Sequence, residues 1–223
     1  MIDKYSISAE LADIVDAFQV QKIVYGQASR FNVSPTQNVS IIMNDRFGIR
    51  TMNEARWGLF PFWAKDSVNA DVETFQHKPY FDRMLRKQRC IVPCSGYFGW
   101  KKAGQEKAPR AMHVVAPGQP LFGVPGFYDV WKNSSGQEVR AFTFITAPTS
   151  GALSQWMPRM PVVLDEEGAE DWLNPRINDI RSLRKHLEPL ESHQLRAYPV
   201  TNAVGEEGYE SPECIREIVP DFA

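Results

Sequence analysis

Between residues 89 and 146 the chain carries five short apolar runs in close succession, with no helix-period pattern alternating with them. Residues 89–92, 111–116, 121–124, 127–131 and 139–146 are rich in Val, Ile, Phe and Trp, the types that fit a pleated, half-buried surface. Asn133-Ser134-Ser135-Gly136 lies between the last two runs as a hairpin connection. A parallel pairing needs a crossover of a dozen or more residues, usually a helix, so strands crowded this way belong in an antiparallel sheet. The expected fold class is α+β, with an antiparallel, barrel-like sheet as its core.

Helical patterns lie outside this block. Leu11, Ile14, Val15 and Phe18 follow helical spacing behind Ser8, a plausible N-cap. Residues 79–87 read as a helix with Pro79 in its first turn, and 166–173 and 177–187 as two more. After a loop around Gly26, 39–43 is expected as a strand, and 195–200 as a late one. Ser211-Pro212-Glu213 gives the cap, proline and acid order of a short final helix. With 223 residues, 43% of them hydrophobic and no linker or repeat, the chain is expected to form one domain over 1–223 with a sizeable core. Six Trp and thirteen Phe make that core aromatic.

The bland readings come first. A net charge of −2 gives no global positive field to attract nucleic acid, although a local basic cleft is compatible with it. Cys90, Cys94 and Cys214 are an odd number without framework spacing, which points to a reducing, intracellular setting and a cytoplasmic protein. No apolar run is long enough for a membrane span and no signal-peptide pattern is present. His77, His113, His186 and His193 lack ligand spacing, so no metal is expected. There is no GxGxxG, Walker-type or GxSxG pattern, so no cofactor is expected either.

Six stretches in register change this picture. They are Arg30-Phe31-Asn32-Val33-Ser34-Pro35, the run from Trp57 through Pro61, Phe62 and Trp63 to Ala64, and Asn69-Ala70-Asp71-Val72-Glu73-Thr74. Then come Arg89-Cys90-Ile91-Val92-Pro93, Gly96-Tyr97-Phe98-Gly99-Trp100, and Arg159-Met160-Pro161-Val162-Val163-Leu164. In this order and spacing the chain resembles the SOS response-associated peptidase (SRAP) family over essentially its whole length. The resemblance implies a DNA-damage role: recognition of abasic sites in single-stranded DNA and covalent capture of them. An N-terminal cysteine exposed by loss of the initiator methionine adds its amine and thiol to the sugar aldehyde, giving a thiazolidine. An asparagine, a glutamate and a histidine position the sugar and move protons.

Carried onto this sequence, only the asparagine survives, as Asn69. The cysteine position is Ile2, which has no thiol and is bulky enough that Met1 should be retained. The glutamate position is Gly99, and the histidine position is Met157, which moves no proton at neutral pH. Arginines of the family pattern are replaced by Lys4, Asp71 and Asp82, and a glycine by Asp3. Each Asp puts a like charge opposite a phosphate. Lys4, Arg30, Arg83, Arg89 and Arg159 remain as candidate DNA contacts, with Phe62 and Trp63 as candidate stacking platforms. The expectation is a pseudoenzyme of the family, monomeric, with thiazolidine cross-linking and peptidase activity lost or much reduced. Single-stranded abasic DNA is a partner weakened by Asp3, Asp71 and Asp82. Two alternatives stay open: a non-covalent DNA-binding or protein-interaction module using the old cleft, and residual Schiff-base chemistry at the Met1 amine.

Overall fold

The computed structural model describes residues 2–27, 29–62, 64–102 and 108–219. In chain order the strands are β1 (Tyr5–Ile7), β2 (Lys22–Ile23), β3 (Arg30–Val33), β4 (Asn38–Asn44), β5 (Arg50–Trp57), β6 (Asn69–Asp71) and β7 (Arg89–Cys94). They continue with β8 (Gly96–Lys101), β9 (Arg110–Val115), β10 (Phe122–Lys132), β11 (Glu138–Pro148), β12 (Arg159–Pro161) and β13 (Arg196–Pro199). The helices are α1 (Leu11–Ala17), α2 (Pro79–Lys87), α3 (Glu166–Leu173) and α4 (Ile180–Leu183), joined by short 3₁₀ turns.

Five strands close on themselves in the order β11-β10-β7-β4-β5-β11. The antiparallel registers run through Tyr128↔Phe142, Val124↔Val92, Ile42↔Ile91 and Ile42↔Met52. The ring is shut by a parallel pairing, Phe142↔Trp57 and Ala141↔Arg56, so the expected antiparallel barrel is antiparallel everywhere except at its seam. A second, five-stranded sheet has the order β13-β9-β8-β1-β3. The class is α+β, as the strand-dense sequence predicts.

Side chains alternate across the barrel wall with the two-residue period of a strand. Val39, Ile41 and Met43 of β4, Cys90, Val92 and Cys94 of β7, and Phe142 and Phe144 of β11 point inward, into one cluster with Ile2, Tyr5 and Trp57. The residues between them, Ile42, Ile91, Ala141 and Ile145, point outward and meet Phe81, Met84 and Leu85 of α2 and Trp172 and Leu173 of α3. A wall buried on both faces explains why these strands read as continuous apolar runs. Inside, Trp57 stacks on Phe144 with ring centroids 4.9 Å apart, and Tyr5 meets Trp57 edge-on at 5.3 Å. Each such ring contributes roughly 1.5–3 kcal/mol by burial.

Arg89 pins the helices to this wall. It is buried, and its guanidinium donates to the backbone carbonyls of Leu85 in α2 and of Trp172 and Asn174 at the end of α3. Two helix C-termini thereby share one cation, where the helix dipole favours positive charge.

The local expectations fare unevenly. The helices at 79–87 and 166–173 form as expected, the second capped by Asp165, whose Oδ1 accepts from the Gly168 N–H at 2.7 Å. The first helix starts at Leu11 with Glu10 in the cap position, and Ser8 instead donates its backbone N–H to Ser95. The 177–187 segment yields only α4 and a 3₁₀ turn, because Asp179 caps the chain late through the Ser182 N–H. Runs 121–124 and 127–131 fuse into the single strand β10. At Gly126 in its middle a Cβ would lie 2.7 Å from the Thr143 carbonyl, so the close approach of β11 needs glycine there.

Candidate functional site

Four positions carry the covalent chemistry that the family resemblance implies, and the fold brings all four together. β6 lies beside β11 in parallel register, Asn69↔Phe144 and Asp71↔Thr146, which sets Asn69 beside the segment leading into β1. There the Asn69 amide donates to the Ile2 carbonyl at 2.7 Å, and its Oδ1 is buried without a partner. β1 pairs with β8 through Tyr5↔Tyr97, and the Phe98 N–H donates to the Lys4 carbonyl, which brings Gly99 to the same place. Met157 arrives from the 3₁₀ turn Gly151–Gln155, its N–H bonded to the Leu153 carbonyl at 2.9 Å.

What fills this place is hydrocarbon. Ile2 is 1% exposed and Met157 3%, both part of the barrel's inner cluster. A side chain at Gly99 would start 2.7 Å from the Trp156 indole and 3.2 Å from the Met157 sulfur. The volume that a carboxylate at 99 would need therefore belongs to Trp156 and Met157. Trp156 went unread in the sequence, where nothing but its place beside Met157 marks it.

The charges around the site are matched internally. Arg159 donates to Asp71 Oδ1 at 2.9 Å and to the Thr146 hydroxyl and carbonyl at 3.1 and 2.7 Å, with Glu73 4.0 Å away. Lys4 donates to Asn32 and Ser34 at 3.2 and 2.8 Å, and burial holds its pKa below the usual lysine value. Arg30 pairs with Glu210 at 3.0 Å and donates to Gln37. Cys94 is buried and its thiol pushed well up by desolvation, so it offers no thiolate to the site.

The remaining sequence candidates lie elsewhere. Arg89 is the helix pin described above. Arg83 pairs with Asp129 at 3.0 Å on the exposed face of α2, and Asp82 with Arg86 one turn on. Asp3 is exposed. Phe62 packs its ring where Gly58, at φ +118°, leaves room; it stays 39% exposed, with the Arg56 guanidinium 5.8 Å from its centroid. Trp63 and Met1 lie outside the described residues. Glu167, Asp171 and His186 group within reach of one ion, but the Lys185 ammonium sits 2.6 Å from Glu167 and 3.9 Å from Asp171, and His186 Nε2 is 2.9 Å from Asp171. That is a self-satisfied ion-pair network on α3 and its neighbour. No described helix is long and apolar enough to cross a membrane.

The SOS response associated peptidase (SRAP) family model matches residues 1–207. The chain belongs to the SRAP family. It is 32% identical over 223 residues to abasic site processing protein YoqW of Bacillus subtilis, covering 96% of this chain and 99% of that one. Abasic site processing protein YMR114C of Saccharomyces cerevisiae is 33% identical over 207 residues, covering 86% of this chain and 53% of its own. YedK of Escherichia coli, an abasic site processing protein too, is 28% identical over 196 residues and 85% of each chain. Among solved structures, a Bacteroides thetaiotaomicron protein superposes with a TM-score of 0.80 at 24% identity over 97% of this chain and 99% of that one. It shares the SRAP chain's fold.

Proposed function

We propose that this SRAP protein has a closed covalent centre and forms no thiazolidine with abasic single-stranded DNA, acting in the DNA-damage setting of its family as a non-catalytic member. One observation carries the reading: the pocket formed by positions 2, 99 and 157 is packed with Ile2, Trp156 and Met157. Thiazolidine formation joins an aldehyde carbon to one nitrogen and one sulfur with loss of a water, and Ile2 brings no sulfur. An acid–base pair is also missing, since neither Gly99 nor Met157 exchanges a proton.

A second reading, non-covalent contact with a DNA strand through the old cleft, draws on the half-exposed Phe62 ring with Arg56 over it. The pairing of Arg159 with Asp71 and of Arg30 with Glu210 weakens its electrostatic part. The test mixes the protein with a single strand bearing one abasic site and separates the mixture on a boiled denaturing gel, with and without borohydride. The proposal expects no shifted band without reductant. A band only after borohydride would assign Schiff-base chemistry to an amine, and a heat-proof band without it would overturn the proposal.

A further inference from the structure

The opposite mouth of the barrel carries a cationic groove that the covalent centre does not use. It encloses about 990 Å³ between the β4–β5 turn, the end of α2 and the start of β11. Arg140 is in phase with the inward residues Phe142 and Phe144 and so stands across this mouth, beside Tyr128. Asn69 pairs with Phe144, four residues along β11, and Arg159 with Pro148, eight along. At roughly 3.3 Å per residue the groove lies about 13–26 Å from the old site.

Its cations are loosely held. Arg140 makes a single 3.6 Å ion pair with Glu138, and its buried Nε has no partner. Lys87 pairs with no carboxylate among the described residues, and neither does Arg46, whose guanidinium lies 4.7 Å from the centroid of the Phe47 ring. The acid on the same turn, Asp45, is turned onto the backbone N–H groups of Phe47 and Ile49 at 2.8 and 2.9 Å. That leaves the groove with a positive surplus. Phe47 itself is 74% exposed, an aromatic face held at the rim of a cationic cleft. Cations alone would suit any acidic ligand. A flat, open ring beside them selects an anion that also has a ring to stack.

We propose that this groove binds a nucleotide unit, its base on Phe47 and its phosphate between Arg46, Lys87 and Arg140. The unit comes either from a free nucleoside phosphate or from a single strand. The experiment is fluorescence anisotropy of a labelled, undamaged thymidine oligonucleotide of about 12 nucleotides at low salt, with thymidine monophosphate and a glutamate-rich peptide as competitors. Arg46→Glu with Lys87→Glu should weaken strand binding roughly tenfold or more and reduce the salt slope by about 1.4. Phe47→Ala should weaken it about fivefold or more. Arg46, Phe47 and Lys87 are exposed, so a retained circular dichroism spectrum checks that these variants fold. Displacement by thymidine monophosphate assigns the free nucleotide as the source, and strand binding that it does not displace assigns the strand. Equal competition by the acidic peptide, wild-type affinity in both groove variants, or no binding of either nucleotide probe would each overturn the proposal.

Discussion

The two ends of the barrel are built from the same strands and have opposite characters. At the Ile2 end the surroundings are apolar: Ile2 and Met157 are buried in one cluster with Trp156 packed against it, Gly99 faces Trp156 and Met157, and Arg159 is matched by Asp71. At the Arg140 end, cations stand loosely over a groove and an aromatic ring is left in solvent. The difference teaches that one SRAP scaffold can be apolar, with its Arg159 charge matched, at one end of the barrel and cationic and open at the other. Asn69 belongs to the first end, where its amide holds the backbone of Ile2.

Four experiments break or sharpen this contrast. The largest effect is expected from acidifying the medium. His113 is buried against Ser6 and Tyr198, with ring nitrogens 2.9 and 2.8 Å from their hydroxyls, and burial depresses its pKa from 6.5 to about 3. The unfolded chain takes up this proton below pH 6.5 and the folded chain only near 3, so stability is lost progressively as pH falls between those values. The loss is on the order of 4 kcal/mol in all. Urea midpoints measured across that window should fall, and His113→Gln should flatten the fall.

Next is Arg89→Met, which strips a shared cation from the carbonyls of two helix ends. It should cost about 3 kcal/mol or more by urea denaturation. A loss near zero would mean that water replaces the guanidinium and that the helices are held by packing alone.

Third, Gly99→Glu drives a side chain into Trp156 and should cost about 1–3 kcal/mol. Trp156→Ala should relieve part of that, giving a double-mutant coupling of about 1 kcal/mol. Additive losses would show that the indole does not fill the old site. The smallest effect is at the charged rim. Asp71→Arg sets a like charge against Arg159 and should cost about 1 kcal/mol, whereas Asp82→Arg removes only an exposed helical pair and should cost less. If Asp71→Arg alone raises affinity for single-stranded DNA, the Ile2 end still admits a strand.

Much of the fold was readable because its signals are local. Pro79 at the start of α2 and the apolar runs of β7 and β11 announce themselves within a few residues. What escaped depends on partners far away in the chain. β8 carries two glycines and looks like a loop until Gly99 is found facing Trp156; β5 hides its period behind Arg50, Glu54 and Arg56. At the site, the sequence marked Ile2, Gly99 and Met157 as departures from a family pattern. It did not reveal that Trp156 and Met157 fill the space at Gly99, or that Asp71 and Arg159 pair with each other. Arg89, taken from sequence as a DNA contact, looks like any basic residue until the ends of α2 and α3 are placed around it.

The central claim of the proposal is that apolar side chains, with no N-terminal thiol, stand where the family pattern has a covalent centre. Intact-protein mass spectrometry, after incubation with abasic single-stranded DNA and heating, tests it most directly. The account predicts the unmodified protein mass alone. A species heavier by the oligonucleotide less one water, surviving the heat step, would contradict it.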